Sequence, residues 1–202
     1  MIFDPFLNDN PEGLTAKDIK ADYIFISHAH FDHLGSAFEI AKNCDALIIT
    51  TAEIAAMAEN DGCRAHAMHL GGTFTFPFGK LRLTPAFHGA GVPGGHACGV
   101  VVDFYGTTLY FAGDTALFSD MQLLQRLDKF DYAVLPIGGN FTMDPNDAAI
   151  ACDFLKAKYV IPVHYNTWPP IAQDVMAFKA VVEETTSSKV LVVNPGHTLE
   201  IE

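Results

Sequence analysis

Residues 27–35 read SHAHFDHLG. His28, His30, Asp32 and His33 fall within six positions of one another. Imidazoles are poor core residues, and a surface segment gains nothing by collecting them. The run before them, DYIFIS at 22–27, has the apolar, β-branched character of a short buried strand. The cluster thus stands where a strand runs out into a turn. Histidines two apart at a strand end project to the same side, with Asp32 and His33 one step further on. That is a metal-ligand pattern rather than a packing pattern.

The rest of the chain alternates around this point. SAFEIAKNC (36–44) reads as a helix, ALIIT (46–50) as a strand, and AEIAAMAEN (52–60) as a helix closed by Asp61-Gly62. Residues 72–87 and 98–114 each hold two extended runs about a glycine-containing turn, the pattern of antiparallel hairpins. Strand–helix alternation then returns: SDMQLLQRLD helical, YAVLPIG a strand, and DPNDAAIACDFLK a helix capped by Asp144 with Pro145 at its first position. YVIPVHY is a strand, DVMAFKAVVEETT a helix, and KVLVVN a final strand. Hairpins mixed with strand–helix units predict an α/β protein with two mixed sheets and helices outside them. No repeat, low-complexity tract or linker interrupts the 202 residues, so one domain over 1–202 is expected.

Composition narrows the function. Twenty-four acids against 12 bases give a net charge of −12, and no Lys/Arg cluster offsets it. Such a chain repels nucleic acid and anionic membranes, which leaves a small molecule as the expected partner. No apolar run spans a bilayer and no signal peptide is visible. Four scattered cysteines without a Cys-x-x-Cys pair fit free thiols in a reducing cytoplasm.

Four more polar residues occupy the same kind of address, just beyond a predicted strand: His88, Asp114, His164 and His197, of which the first three join the candidate set. Ligand sites of α/β sheets gather at strand ends. Seven nitrogen and oxygen donors exceed what one four-coordinate zinc takes. They suit two divalent ions bridged by a carboxylate and water, zinc first, with manganese or iron as alternatives. His66, His69 and His197 read as ordinary polar residues. Neither a G-x-S-x-G elbow nor a P-loop is present. The glycine-rich GAGVPGGHACG (89–99) reads as a mobile loop over the site, carrying His96 as a substrate-contacting or proton-donating group.

HAHFDH matches the H-x-H-x-D-H signature of the metallo-β-lactamase superfamily. AFHGAG, YFAGDT and VIPVHYNT resemble its later His, Asp and His motifs, in the superfamily's order. LPIGGNFTMDPNDAA and HYNTWPPI resemble a branch of small prokaryotic metal-dependent hydrolases related to the ascorbate-phosphate lactonase group. The resemblance implies a four-layer αββα sandwich with a dinuclear site. His28, His30 and His88 would hold the first ion, Asp32, His33 and His164 the second, and Asp114 would bridge them. Members of the branch are expected to begin about 25 residues earlier, so the opening strands of the first sheet would be missing here.

The chemistry implied is hydrolysis of a small ester, lactone, thioester or amide by a metal-activated hydroxide. Asp32 would accept the proton, His164 would assist, and Asp4 would support the ligands by hydrogen bonding. A phosphodiesterase, a di-iron redox module needing a flavin partner, and a non-catalytic metal-binding or interaction protein are the alternatives. The MIFDP strand is expected near an exposed edge, where edge strands attract partners, which predicts a two-fold homodimer.

Overall fold

The computed structural model describes residues 1–200, which divide into two compact units. The first comprises Met1–Gly72, Gly89–Cys98 and the chain from Val193. Its strands are β1 (Ile2–Phe3), β2 (Tyr23–Phe25), β3 (Leu47–Thr51) and β4 (Arg64–Met68), in spatial order β1-β2-β3-β4. All pair in parallel, with Ile24 opposite Ile48 and Phe25 opposite Ile49. The expectation of mixed sheets therefore holds only for the second unit. Parallel neighbours need crossovers; an irregular segment connects β1 to β2, and helices supply the other two. The one-turn α1 (Phe31–Leu34) and α2 (Ala37–Cys44) lie between β2 and β3, and α3 (Ala52–Asn60) between β3 and β4. α2 buries Ala37, Ile40 and Ala41, and α3 buries Ile54, Ala55 and Ala58. Both triplets follow helical spacing, and all but Ala55 join Ile24, Ile26 and Ile48 in one core.

The second unit comprises Thr73–His88 and Gly99–Val192. Its hairpins are β5 (Thr73–Phe76) with β6 (Gly79–Pro85), and β7 (Cys98–Phe104) with β8 (Thr107–Phe111), both antiparallel as expected. After α4 (Met121–Leu127) come β9 (Tyr132–Pro136), α5 (Pro145–Leu155), β10 (Tyr159–Val163), α6 (Val175–Thr185) and β11 (Lys189–Val190). The sheet order is β11-β10-β9-β8-β7-β6-β5, with β8 to β11 parallel. Asp144 caps α5 by accepting from the Asn146 and Asp147 amides at 2.8 and 2.9 Å, with Pro145 at its first position. Asp174 caps α6 in the same way. Tyr110, Leu135, Leu155, Phe178 and Val182 centre this unit's core. Among the described residues no helix is long and apolar enough to cross a membrane.

Candidate metal centre

In the first unit the cluster is built on β2. Ser27 and His28 follow the strand and are wholly buried, His30 precedes the turn of α1, and Asp32 and His33 lie on that turn. Behind them stands Asp4, just past β1, at a left-handed φ of +42°. Its carboxylate accepts from the Ser27 amide at 2.7 Å, from the Ser27 hydroxyl, and from His33 Nδ1 at 2.7 Å. Because the Ser27 proton goes to Asp4, the Ser27 oxygen accepts from His28 Nδ1, 2.9 Å away. One carboxylate thereby fixes two tautomers: Nδ1 carries the proton in His28 and His33, and each Nε2 turns a lone pair outward.

His28 Nε2 faces His30 Nδ1 at 2.9 Å. Two ring nitrogens in that relation share either a proton or a cation. His33 Nε2 lies 3.6 Å from Asp32 Oδ2. Asp4, His28 and His33 offer donor atoms within 4.8 Å of one another. Asp4 is also bonded to His33 directly and to His28 through Ser27, a position from which it can orient both rings.

The second unit carries the other three. β8 and β10 run parallel with β9 between them, so the residues beyond their C-terminal ends emerge at one sheet margin. Asp114 follows β8, His164 follows β10, and His88 follows β6. Asp114 is 4 % exposed at its side chain, and its Oδ2 lies 3.4 Å from His88 Nε2 and 3.3 Å from His164 Nε2. These separations are long for hydrogen bonds. They match the spacing of about 3.3–3.5 Å expected of neighbouring ligands on a tetrahedral ion with bonds of about 2.0–2.2 Å. The donor chemistry and the spacing fit a divalent cation.

His164 reaches this position from a left-handed backbone at φ +56°. The loop behind it closes through Asn166, whose amide donates to the Ile171 carbonyl and whose Oδ1 accepts from the Gln173 amide. Gly138 passes so close to the His164 carbonyl that any β-carbon there would collide with it.

His96 is exposed, on the loop that leads back to β7. Its ring lies 5.6 Å between centroids from that of the exposed His69, a neighbour that no spacing rule in the sequence suggests. His66 lies within β4, and His197 is exposed. The loop around His96 is fastened to the ligand turn at both ends: Ala29 donates to Ala90 at 2.8 Å, and Cys98 donates to Ser27 at 3.0 Å. Burial raises the thiols of Cys98 and Cys152, the latter to about 12, so neither supplies a thiolate nucleophile. Thr115 is a part the sequence reading missed. It accepts from the Phe87 amide at 3.0 Å and ties the loop before His88 to the loop after Asp114.

The fold and donor set define a class of metalloprotein, and the comparisons agree. The chain belongs to the β-lactamase superfamily, whose domain model matches residues 2–165. More particularly, it is 54 % identical over 202 residues to a UPF0173 metal-dependent hydrolase of Natranaerobius thermophilus, covering all of this chain and 91 % of that one. A namesake from Pelotomaculum thermopropionicum is 45 % identical over 210 residues, covering 100 % and 92 %. Among solved structures, Igni18, a metallo hydrolase from Ignicoccus hospitalis, superposes with a TM-score of 0.92 at 36 % identity, covering 100 % of this chain and 90 % of that one. The metallo-β-lactamase fold and a metal-dependent hydrolase activity follow from that membership.

Proposed function

We propose that the protein is a dinuclear metallohydrolase acting on a small neutral ester, lactone, thioester or amide. The observation that carries the reading is Asp114 Oδ2, one buried carboxylate oxygen at ligand spacing from two separate histidines. A single oxygen so placed is suited to bridging. By their order in the family's motifs, His28, His30 and His88 would hold one ion, and Asp32, His33 and His164 the other, with Asp114 common to both. Zinc suits the imidazole-rich set, with manganese or iron as alternatives. Bound divalent ions would polarise a carbonyl and bring the pKa of water to about 7.

The chain's own residues do the rest. Asp4 and Ser27 hold the His28 and His33 nitrogens in the ligating tautomer. Asp32 Oδ2 is the proton acceptor for the attacking water and returns that proton to the leaving group. His164 assists by orienting the substrate, and His96 is the outer proton donor or substrate contact. Four free cysteines support a reducing, cytoplasmic setting.

Neutral substrates are favoured because the ligand-bearing loops carry no Lys or Arg, whereas phosphate is usually gripped by such cations. Arg64 is itself occupied, bonding the Asp45 carbonyl and carboxylate at 3.0 Å. The test is a hydrolysis screen of zinc- or manganese-reconstituted protein over lactones, esters, thioesters, amides and phosphodiesters, with elemental analysis alongside. Two ions per chain and turnover of a carboxyl substrate are expected. One ion at saturation, or turnover of phosphodiesters alone, overturns the proposal.

The proposal extends to assembly. β1 lies at one margin of the first sheet among the described residues, and an edge strand supports two-fold self-pairing. Light scattering should give twice the chain mass, and a monomer at high concentration overturns that part.

A further inference from the structure

Phe87 is 64 % exposed, although phenyl rings are among the most strongly buried of side chains. A single exposed ring would mean little, but this one is built in. It rests on Phe118, with ring centroids 5.2 Å apart and planes tilted by 57°. Phe118 in turn packs against the second unit's core. Two backbone-level bonds hold the pair. The Phe87 amide donates to Thr115 Oγ1 at 3.0 Å, and the Ala116 amide donates to the Phe87 carbonyl at 3.2 Å. Thr115 is wholly buried and also accepts, at its carbonyl, from the Met143 amide. The same fastening sets His88, the next residue, beside Asp114, which immediately precedes Thr115. An outward-facing aromatic ledge and a pair of candidate ligands are thus positioned by one piece of backbone. Folding gains little from a ring left mostly in water, whereas a substrate covering it would gain apolar burial.

We propose that Phe87, seated on Phe118, is the specificity-determining element for an apolar group of the substrate; this rests on the metallohydrolase reading. The ledge selects among substrates by their hydrocarbon part, while the chemistry is left to the residues at the ions. A ring seated on Phe118, on backbone fixed by two hydrogen bonds, loses little freedom when covered, which favours affinity.

The experiment uses zinc-loaded protein and straight-chain alkyl hydroxamic acids from acetyl to hexanoyl, with affinity read by calorimetry rather than turnover. In the wild type, Kd is expected to tighten about threefold per added methylene. In Phe87→Ala the gain should fall below about 1.5-fold per methylene, with acetohydroxamate affinity and metal content unchanged. Phe87→Leu should keep most of the gain, separating apolar contact from loop geometry. Equal affinity for every chain length in the wild type, or the wild-type gain persisting in Phe87→Ala, overturns the inference while leaving the metallohydrolase reading in place. Failure of the loaded wild type to bind any hydroxamate overturns that reading and this inference with it.

Discussion

At Asp4 a left-handed backbone and a carboxylate accepting three hydrogen bonds converge on His33 directly and on His28 through Ser27. Removing it frees two imidazole rings to turn and to change tautomer, without removing a ligand. Asp4→Ala should therefore weaken metal affinity about 10- to 100-fold. Asp4→Asn should weaken it as well. An amide can still accept from the Ser27 backbone, but its NH2 group cannot accept the His33 and Ser27 protons. Chelator competition measures this, and unchanged affinity in both variants would remove Asp4 from the site. In the sequence Asp4 reads as a turn residue with a suspected hydrogen-bonding role, because its partners lie 23 and 29 positions away. The clustered histidines were legible because their density has no packing explanation. His69 beside His96 was not, since the pair meets only through tertiary structure.

Between elements, close approach decides more than composition does. Gly91 takes φ +69°, and a β-carbon there would fall 2.5 Å from the Ala29 carbonyl carbon and 2.6 Å from the His30 nitrogen. Gly94 takes φ +75° but has open space around that position. Gly91→Ala should thus lower metal affinity through His30, whereas Gly94→Ala, carrying only the backbone strain, should not. Equal effects in the same chelator competition would refute the distinction. Asp131 offers a pH test on the second sheet. The Lys158 ammonium at 2.6 Å, and then the Thr108 amide at 2.9 Å, hold its carboxyl below the usual range. A depressed carboxylate stabilises the fold above its unfolded pKa, about 3.9, and that stabilisation is lost as pH falls through the lower native value. Asp131→Ala should cost on the order of 1 kcal/mol at neutral pH, through the Lys158 bond and the half-buried Thr108 amide bond together. Urea midpoints of variant and wild type should draw together as pH falls from about 4 through the lower native value, and a pH-independent gap would count against this. Most elements were legible from apolar runs and caps. β4 was not, because RAHAM offers two alanines and a half-exposed surface rather than a strand-like run. KVLVVN was read too long: only Lys189 and Val190 pair with β10, and one further bond, from Leu191 to Val160, ends the ladder.

Over the whole molecule, 24 acids oppose 12 bases, and the segments 27–36, 88–98, 113–121 and 164–174 that carry the candidate ligands contain no basic side chain other than histidine. They contribute Phe31, Phe118, Tyr165 and Trp168, and burial pushes the Tyr165 hydroxyl pKa up. Trp168 lies 6.4 Å from the His164 ring, and Phe31 meets Phe6 edge-on at 5.9 Å. Aromatic side chains beside the candidate ligands of each unit suit an uncharged, partly apolar substrate. A chain of net charge −12 also slows approaching anions, which would have only the bound ions to attract them. Neutral esters, lactones or amides should therefore give higher kcat/KM than their phosphorylated counterparts. For the neutral substrate, raising salt from about 0.05 to 0.5 M should change kcat/KM by less than about twofold, since there is no long-range attraction to screen. For a phosphorylated analogue, added salt should raise the low rate by screening the net repulsion. Stopped-flow or steady-state assays on the metal-loaded protein separate the cases. A preference for the phosphorylated substrate that weakens as salt rises would reveal a cationic approach path and refute the neutral-substrate reading.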